Sequence, residues 1–398
     1  MSEVLTFARR GAVNSTGCEY LQAARSMRAL LATEAAATDK LGTLSPGAVE
    51  MFRDAGFFWM CVGAELGGGG CTITQAIAVV EEIASVDASV AWSLMANLSE
   101  TALAVAYLGD DAIDAMFGGP RKAIVAGMFG AGGKGVPVRG GLQAAGRYGF
   151  GSGMAHADWI GSGMLVTEDG KPRPLPSGAP EIQVCLIPIG KIDMTRNWPA
   201  TGLIGTGSYD YSVPEQFVAG DFMFERNINR PKRGSSLFNL GMIPMGASGH
   251  CGVVMGLARH ALSEMAELAA VKKRPGAARV IALDEVFREG FAMQEATYQG
   301  ARDYTYRAYR EAKEQALAGL PITPEHIARV RQVTIWLHQM ASQIVRFCHL
   351  WAGSEAIRNF TAMSRVSRDM AVASQHILAD PAAMASVAGP ILDGWRSA

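Results

Sequence analysis

Residues 143–166 read QAAGRYGFGSGMAHADWIGSGMLV. They hold two short runs, Gln143–Phe150 and Trp159–Val166, set apart by a turn rich in Gly, Ala and Asp. Short runs bounded by Gly, Pro and Asp are the grammar of strands and turns. Ile182–Ile189 and Tyr209–Val218 repeat it, so a β domain is expected between about Ala123 and Phe224. Outward in both directions the period changes to that of helices. Upstream, Glu19 to about Gly109 is helical. Ser45-Pro46 is a cap followed by proline at the first helical position, and Ile77, Val80, Ile83 and Ala84 recur at helical spacing. Asp87–Leu108 is apolar nearly all round, which predicts a central helix. Downstream of Pro231 long helices fit Met245–Leu268, Val280–Leu317, Pro324–Ala352 and Glu355–Leu378, with Thr323-Pro324 marking one start. The chain is therefore expected to be mainly α with a central β domain, divided 1–121, 122–230 and 231–398 and packed as one body.

Composition narrows the function classes. The 398 residues are 49% hydrophobic, and 36 Lys+Arg stand against 37 Asp+Glu, a formal charge of −1. That excludes a disordered tail and leaves no field to draw in nucleic acid. Six dispersed cysteines (Cys18, Cys61, Cys71, Cys185, Cys251 and Cys348) form no CxxC pair and read as buried thiols in a reducing compartment. The start, MSEVLTFARRGAVNSTG, lacks an apolar core with a cleavage site, so the expected location is cytoplasmic. The uncharged stretch Gly234–Ala258 is long enough for a membrane span, but Asn239, Pro244, His250 and its glycines reject that reading. Gly246, Gly249, Gly252 and Gly256 fall on one helical stripe, expected to let another backbone approach closely.

The glycine-rich segment Phe129–Gly135, FGAGGKG, has strand-like sequence after it where a dinucleotide or phosphate loop needs a helix. It is taken as a loop of the β domain where backbone can approach a ligand. No metal is expected: the seven histidines form no HxH, HExxH or Cys/His cluster. His338 and His349 share a helical face but stand roughly 16 Å apart at 1.5 Å per residue, and a lone helical histidine is more often structural. His156 beside the Ser152-Gly153 turn, and His376 beyond Arg365, Arg368 and Asp369, are the two that stand out. No GxSxG elbow supports a hydrolase.

Taken in order, MFRDAGFF (51–58), ELGGGG (65–70), VVEEIA (79–84), SVAW (89–92), GRYGFGSG (146–153), ADW (157–159), GLIGTGS (202–208) and SRD (367–369) resemble the acyl-CoA dehydrogenase fold along nearly the whole chain. The resemblance implies an N-terminal helical domain, a middle β-barrel domain and a C-terminal four-helix bundle that builds tetramers. Dehydrogenases of this fold use a glutamate base at one of two places, and counting along the resemblance puts His376 and Gly246 there. Arg365-x-x-Arg368-Asp369 followed by His376 instead resembles the two-component, reduced-flavin-dependent (group D) monooxygenases.

That resemblance implies reduced FMN or FAD delivered by a separate NAD(P)H-dependent flavin reductase, a flavin C4a-peroxide formed with O₂ in a dry pocket, and an aromatic or polycyclic small-molecule substrate. Ser152 and His376 are the implied catalytic residues, the first near the flavin and the second a base for a substrate hydroxyl. Met128, Phe129, Gly130, Phe150 and Gly151 are the implied flavin neighbours, with Trp92, Asn97 and Glu100 on the substrate side. Arg274, in Lys272-Lys-Arg-Pro275, stands near where the dehydrogenases' Arg-x-x-Phe-Gly reaches a flavin from a neighbouring subunit. A homotetramer with flavin at the subunit boundary follows, and the Arg368/Asp369 pair is expected to be a structural ion-pair position. Tyr148 replaces a frequent Trp, and Glu100 stands where some phenol hydroxylases carry His. The alternatives on this fold are a flavin dehydrogenase or oxidase, and a non-catalytic ligand-binding relative.

Overall fold

The computed structural model describes residues 17–397; the readings of the amino-terminal segment and of the Cys18 thiol lie outside the described residues. Among the described residues six helices come first: α1 Gly17–Ser26, α2 Arg28–Leu41, α3 Pro46–Asp54, α4 Ile73–Ala84, α5 Ala88–Tyr107 and α6 Asp110–Phe117. Their starts are chemical. Ser45 Oγ accepts the Ala48 N–H ahead of α3, and Asp87 Oδ1 accepts the Val90 N–H ahead of α5, each satisfying a donor the helix cannot. As its apolar circumference demanded, α5 is central, and its positions that are not fully buried are Ala96 and Glu100.

The strands are β1 Val125–Val138, β2 Gly141–Gly151, β3 Trp159–Glu168, β4 Lys171–Pro172, β5 Ile182–Pro188, β6 Asp193–Thr195, β7 Tyr209–Ala219 and β8 Met223–Glu225. They run in the order β6-β7-β2-β1-β3-β5-β8, with β4 on β3 and only β1–β3 parallel. One expectation fails here. Phe129–Gly135 is not a loop but the middle of β1, paired to β2 on one side and, through two register shifts, to β3 on the other. Gly132, Gly133 and Gly135 answer to crowding: a Cβ on Gly132 would stand 2.5 Å from Tyr148 Cδ1, and one on Gly133 would stand 2.4 Å from Met164 Sδ.

The C-terminal helices are α7 Met242–Val271, α8 Glu285–Leu317, α9 Pro324–Ala352, α10 Ala362–Ala373 and α11 Met384–Ser397. Two expected helices are shorter than their periodicity suggested. Asp284 caps α8, which leaves Val280 outside it. The segment expected as one helix over 355–378 opens with a 3-10 turn, starts properly at the Thr361 cap and stops at Ala373, so His376 lies beyond the helix rather than on it. The glycine stripe of α7 serves its own chain. A Cβ would fall 2.7 Å from Met95 at Gly249, 2.8 Å from Val80 at Gly252 and 2.4 Å from Ala84 at Gly256, while Gly246 faces open space.

Two buried carboxylates tie the layers together. Glu81 of α4 accepts from Tyr298, Arg302 and Tyr306 of α8, and Glu82 pairs with Arg28 and Arg259. Arg368 and Asp369 do not pair as an ion bridge. Arg368 donates to the carbonyls of Ser364 and Asn359, Arg365 pairs with Asp39, and Asp369 accepts the Leu203 N–H at 2.6 Å. Burial, opposed by the Leu203 N–H and Arg365 and helped by Asp87 and Asp39, lifts the Asp369 carboxyl to about 7. Between the ordinary aspartate value of 3.8 and about 7 the folded chain thus holds a proton that the unfolded chain has lost. Stability contributed by this group falls as pH rises through that window. Asp369→Asn keeps the acceptor and the neutral charge. Relative to wild type it should gain thermal stability from pH 4 to pH 7, and a difference independent of pH in thermal melts would contradict the assignment.

Candidate active site

The Ser152-Gly153 turn follows directly on β2, and α5 lies behind it. Trp92 Nε1 donates to Ser152 Oγ at 3.0 Å, and Ser152 Oγ lies 2.7 Å from Ser208 Oγ, which lies 2.6 Å from Thr206 Oγ1. Asn97 Nδ2 donates to the carbonyls of Val125 and Gly153, and Asn97 Oδ1 takes the Nε2–H of His156 at 2.8 Å. Asn97 is therefore wall rather than mouth: its polar atoms and His156 Nε2 hold the turn, His156 Nδ1 is left without a partner among the described residues, and a Cβ on Gly153 (φ +72°) would meet Asn97 at 2.5 Å.

Against the edge of Trp92 stand two more rings. His250 of α7 lies 4.7 Å from it at 90°, and His376 lies 5.8 Å from it at 77°. The two imidazoles stack on each other at 4.0 Å, and His338 of α9 is 6.3 Å behind His250. Burial, with His376 and His338 nearby, holds His250 well below the usual histidine range, and burial first holds His338 and His376 at about 4. All three are neutral at pH 7. His338 Nδ1 faces the Thr334 carbonyl at 2.7 Å, so the hydrogen sits on Nδ1 and Nε2 keeps its lone pair. His376 is the reverse: the Leu378 N–H donates to Nδ1 at 3.3 Å, which leaves the hydrogen on Nε2. His338 and His376 line one cavity of about 570 Å³ with Gln339, Ser342, Ser374 and Asp380.

The remaining expected residues divide. Glu100 is two turns beyond Trp92 on α5, about 12 Å at 1.5 Å per residue. Burial lifts its carboxyl well above the usual range, and Oε2 has no partner among the described residues. Phe150 is 66% exposed at φ +65° and meets Trp198 edge-on at 6.0 Å. The Met128 N–H donates to the Tyr211 hydroxyl, and Gly130 has room for a neighbour. Phe129 turns its ring inward onto Gly161 and Phe224, so only its backbone can face a ligand. Gly151 is packed on Met154. Arg274 is exposed, with its guanidinium 3.9 Å over the Trp351 ring, and no described contact brings it to the Ser152 cluster.

Sequence reasoning missed His250, which had served only to argue against a membrane span. Its place one turn after Gly246, the position that counting along the resemblance assigned to a dehydrogenase's base, was the available signal. Ser208 and Thr206 lay inside the quoted segment 202–208 without a role.

The comparisons agree with this architecture. The models for the N-terminal and C-terminal domains of acyl-CoA dehydrogenase match residues 20–117 and 248–381. An indole-3-acetate monooxygenase of Pseudomonas putida is 25% identical over 338 residues, 85% of this chain and 84% of that one. A flavin-dependent monooxygenase oxygenase subunit, HsaA of Mycobacterium tuberculosis, is 30% identical over 185 residues, covering 46% of this chain and 45% of that protein. Among solved structures, 3-HSA hydroxylase from Rhodococcus sp. RHA1 matches with a TM-score of 0.87 at 21% identity, covering 94% of this chain and 97% of that one. XiaF from Streptomyces sp., in complex with FADH2 and glycerol, gives 0.87 at 18% identity over 95% and 96%.

Proposed function

Matched by family models at both ends, the chain belongs to the acyl-CoA dehydrogenase family, and from that premise we propose that it is the oxygenase component of a two-component flavin-dependent monooxygenase. It takes reduced FMN or FAD from a separate NAD(P)H-dependent reductase and oxidises an aromatic or polycyclic small molecule. One observation carries the reading: Ser152, held between Trp92 and Ser208, shares the Trp92 indole with the stacked His250–His376 pair. Counting along the family resemblance, Gly246 and His376 fall at the two places where a dehydrogenase keeps its carboxylate base.

The residues present fit a flavin and a substrate. Ala96 and Glu100 are the half-buried positions of an otherwise buried helix, Gly246 has nothing within 4 Å, and among the described residues His156 Nδ1, His250 Nδ1, His338 Nε2 and Glu100 Oε2 are buried polar atoms without partners. Folded chains rarely leave such atoms unpaired unless something else meets them. When bound, reduced flavin supplies the electrons that activate O₂. In this reading Ser152 faces the flavin N5/C4a edge, with the backbone at Met128, Phe129 and Gly130, the Gly151 turn and the Phe150 ring around it. Trp92, buried with Ser152, keeps water from that edge, and Asn97 holds the turn. Arg274 would hold a phosphate of the flavin bound across a subunit boundary. His376 meets the substrate hydroxyl through Nε2. Exchange to its other tautomer costs the one long Leu378 contact, after which Nε2 accepts the proton. Glu100, whose carboxyl burial drives toward its protonated form, offers a hydrogen bond to the far end of the substrate.

No helix among the described residues is long and apolar enough to cross a membrane. The cytoplasmic assignment rests on Cys61, Cys71, Cys185, Cys251 and Cys348, all free and buried. The three-domain division at 121/122 and 230/231 follows the change of element type. The homotetramer draws on Ile357, Phe360 and Trp395, exposed at 72, 78 and 76%. Light scattering should give four chains per particle, and a stable monomer at micromolar concentration would remove the subunit-boundary site. Function is tested with a flavin reductase, NADH, ¹⁸O₂ and indole or indole-3-acetate as first probes. Label in a hydroxylated product is expected, and failure of the chain to bind reduced flavin at all would overturn the reading.

A further inference from the structure

The hydroxyl chain behind Ser152 has a direction. Thr206 Oγ1 lies 2.8 Å from the Leu203 carbonyl oxygen, which can only accept, so Thr206 donates its single hydrogen there. At the 2.6 Å contact with Ser208, Thr206 must then accept and Ser208 donate. The same step repeated at 2.7 Å makes Ser152 donate to Ser208. Trp92 Nε1–H, a donor only, occupies one lone pair of Ser152 from 3.0 Å. Ser152 thus has its hydrogen turned inward and a lone pair left for a ligand. Running the chain the other way would abandon the Thr206–Leu203 bond, in a place where Thr206 and Ser208 are 0% and 3% exposed and water cannot replace it. Leu203 is itself fixed: its N–H is held by Asp369, and its carbonyl also takes Trp198 Nε1–H at 2.9 Å.

We propose that Thr206 and Ser208 select the redox form of the flavin, by making Ser152 a hydrogen-bond acceptor that suits the N5–H of reduced flavin and opposes the bare N5 of oxidised flavin. This rests on the flavin reading above, with Ser152 at the N5 edge. Reduced flavin meets the resting chain without rearrangement. Oxidised flavin offers N5 as a second acceptor, and Ser152 can serve it only by reversing three hydroxyls. Thr206 and Ser208 are positioning residues: they act through Ser152.

The test is anaerobic titration of the full-length protein with FMN and FAD, each oxidised and photoreduced, in wild type, Thr206→Val, Thr206→Ser and Ser208→Ala. Wild type should bind the reduced form about tenfold or more tightly, the worth of one hydrogen bond with its mismatch. Thr206→Val, which keeps the shape and removes the hydroxyl, frees the chain to reverse and should lower the reduced-to-oxidised affinity ratio about five- to tenfold. Ser208→Ala should do the same, and Thr206→Ser should keep the wild-type ratio. A ratio unchanged in both Thr206→Val and Ser208→Ala overturns the proposal while leaving the flavin reading standing. A loss in Thr206→Ser equal to that in Thr206→Val overturns it too, since packing rather than the hydroxyl would then set the ratio. If wild type binds neither form, the flavin reading itself falls.

Discussion

Asparagine in place of His376 will leave the fold and flavin binding intact and lower product formation about 10²–10⁴-fold, the usual range for losing a general acid–base group. The fold survives because the side-chain bond His376 makes to its own segment is the one from the Leu378 N–H to Nδ1, and an asparagine carbonyl at the same place can accept that N–H. What is lost is the ring beside His250 and Trp92. Held at about 4 by burial and by His338, the imidazole is neutral across the neutral range. Once its hydrogen has moved to Nδ1, it can take a proton from a bound hydroxyl through Nε2 at any pH above that value. The sign follows: the folded-state value is depressed, so the base is lost only as pH falls through about 4, and the wild-type rate should show no histidine-like inflection near 6.5. Product per flavin turnover and thermal stability, measured on the same variant, separate this role from simple capping. Wild-type coupling in a destabilised protein would end the catalytic assignment.

The fold was legible because its elements carry local signals. Ser45-Pro46 and Thr323-Pro324 start helices where their caps say, and the strand runs at 143–150, 159–166, 182–189 and 209–218 all lie within or nearly match observed strands. The misses have a common cause, which is that a neighbour decides. Phe129–Gly135 looks like a loop by composition and becomes a strand because β2 and β3 close on both sides of it. The helix expected over 355–378 keeps its apolar spacing, but Thr361 and Ala373 bound it, and this is what swings His376 under His250. Of the site, Ser152 and Trp92 were named and are hydrogen-bonded to each other, whereas His250 needed the crossing of α5 and α7, which no spacing in one segment announces. Asn97 shows what spacing hides: a polar residue beside the Ser152-Gly153 turn whose groups are all engaged in building it.

Arg302→Leu should cost about 3 kcal/mol of stability, the lower end of what removing one partner of a buried ion pair costs, because the Arg302 side chain is 35% exposed and partly screened. Glu81 has no such relief. Its side chain is 4% exposed on α4, and Arg302 Nε at 2.7 Å supplies the charge that balances it, with only the Tyr298 and Tyr306 hydroxyls left, each at 2.8 Å. Two phenols can solvate a carboxylate but cannot neutralise it. The double variant Glu81→Gln/Arg302→Leu should therefore be more stable than Arg302→Leu alone, since the amide keeps an acceptor for the phenols and buries no charge. The consequence reaches the site, because α8 and α4 grip each other through this cluster while α7 lies against α4 at Gly252 and Gly256. Loosening that grip should let His250 leave the Trp92 edge, so Arg302→Leu should also weaken binding of reduced flavin, and the double variant should recover part of it. Denaturant midpoints on the three chains decide the matter: an Arg302→Leu loss under 1 kcal/mol would mean that water reaches Glu81 and that the cluster is no clamp.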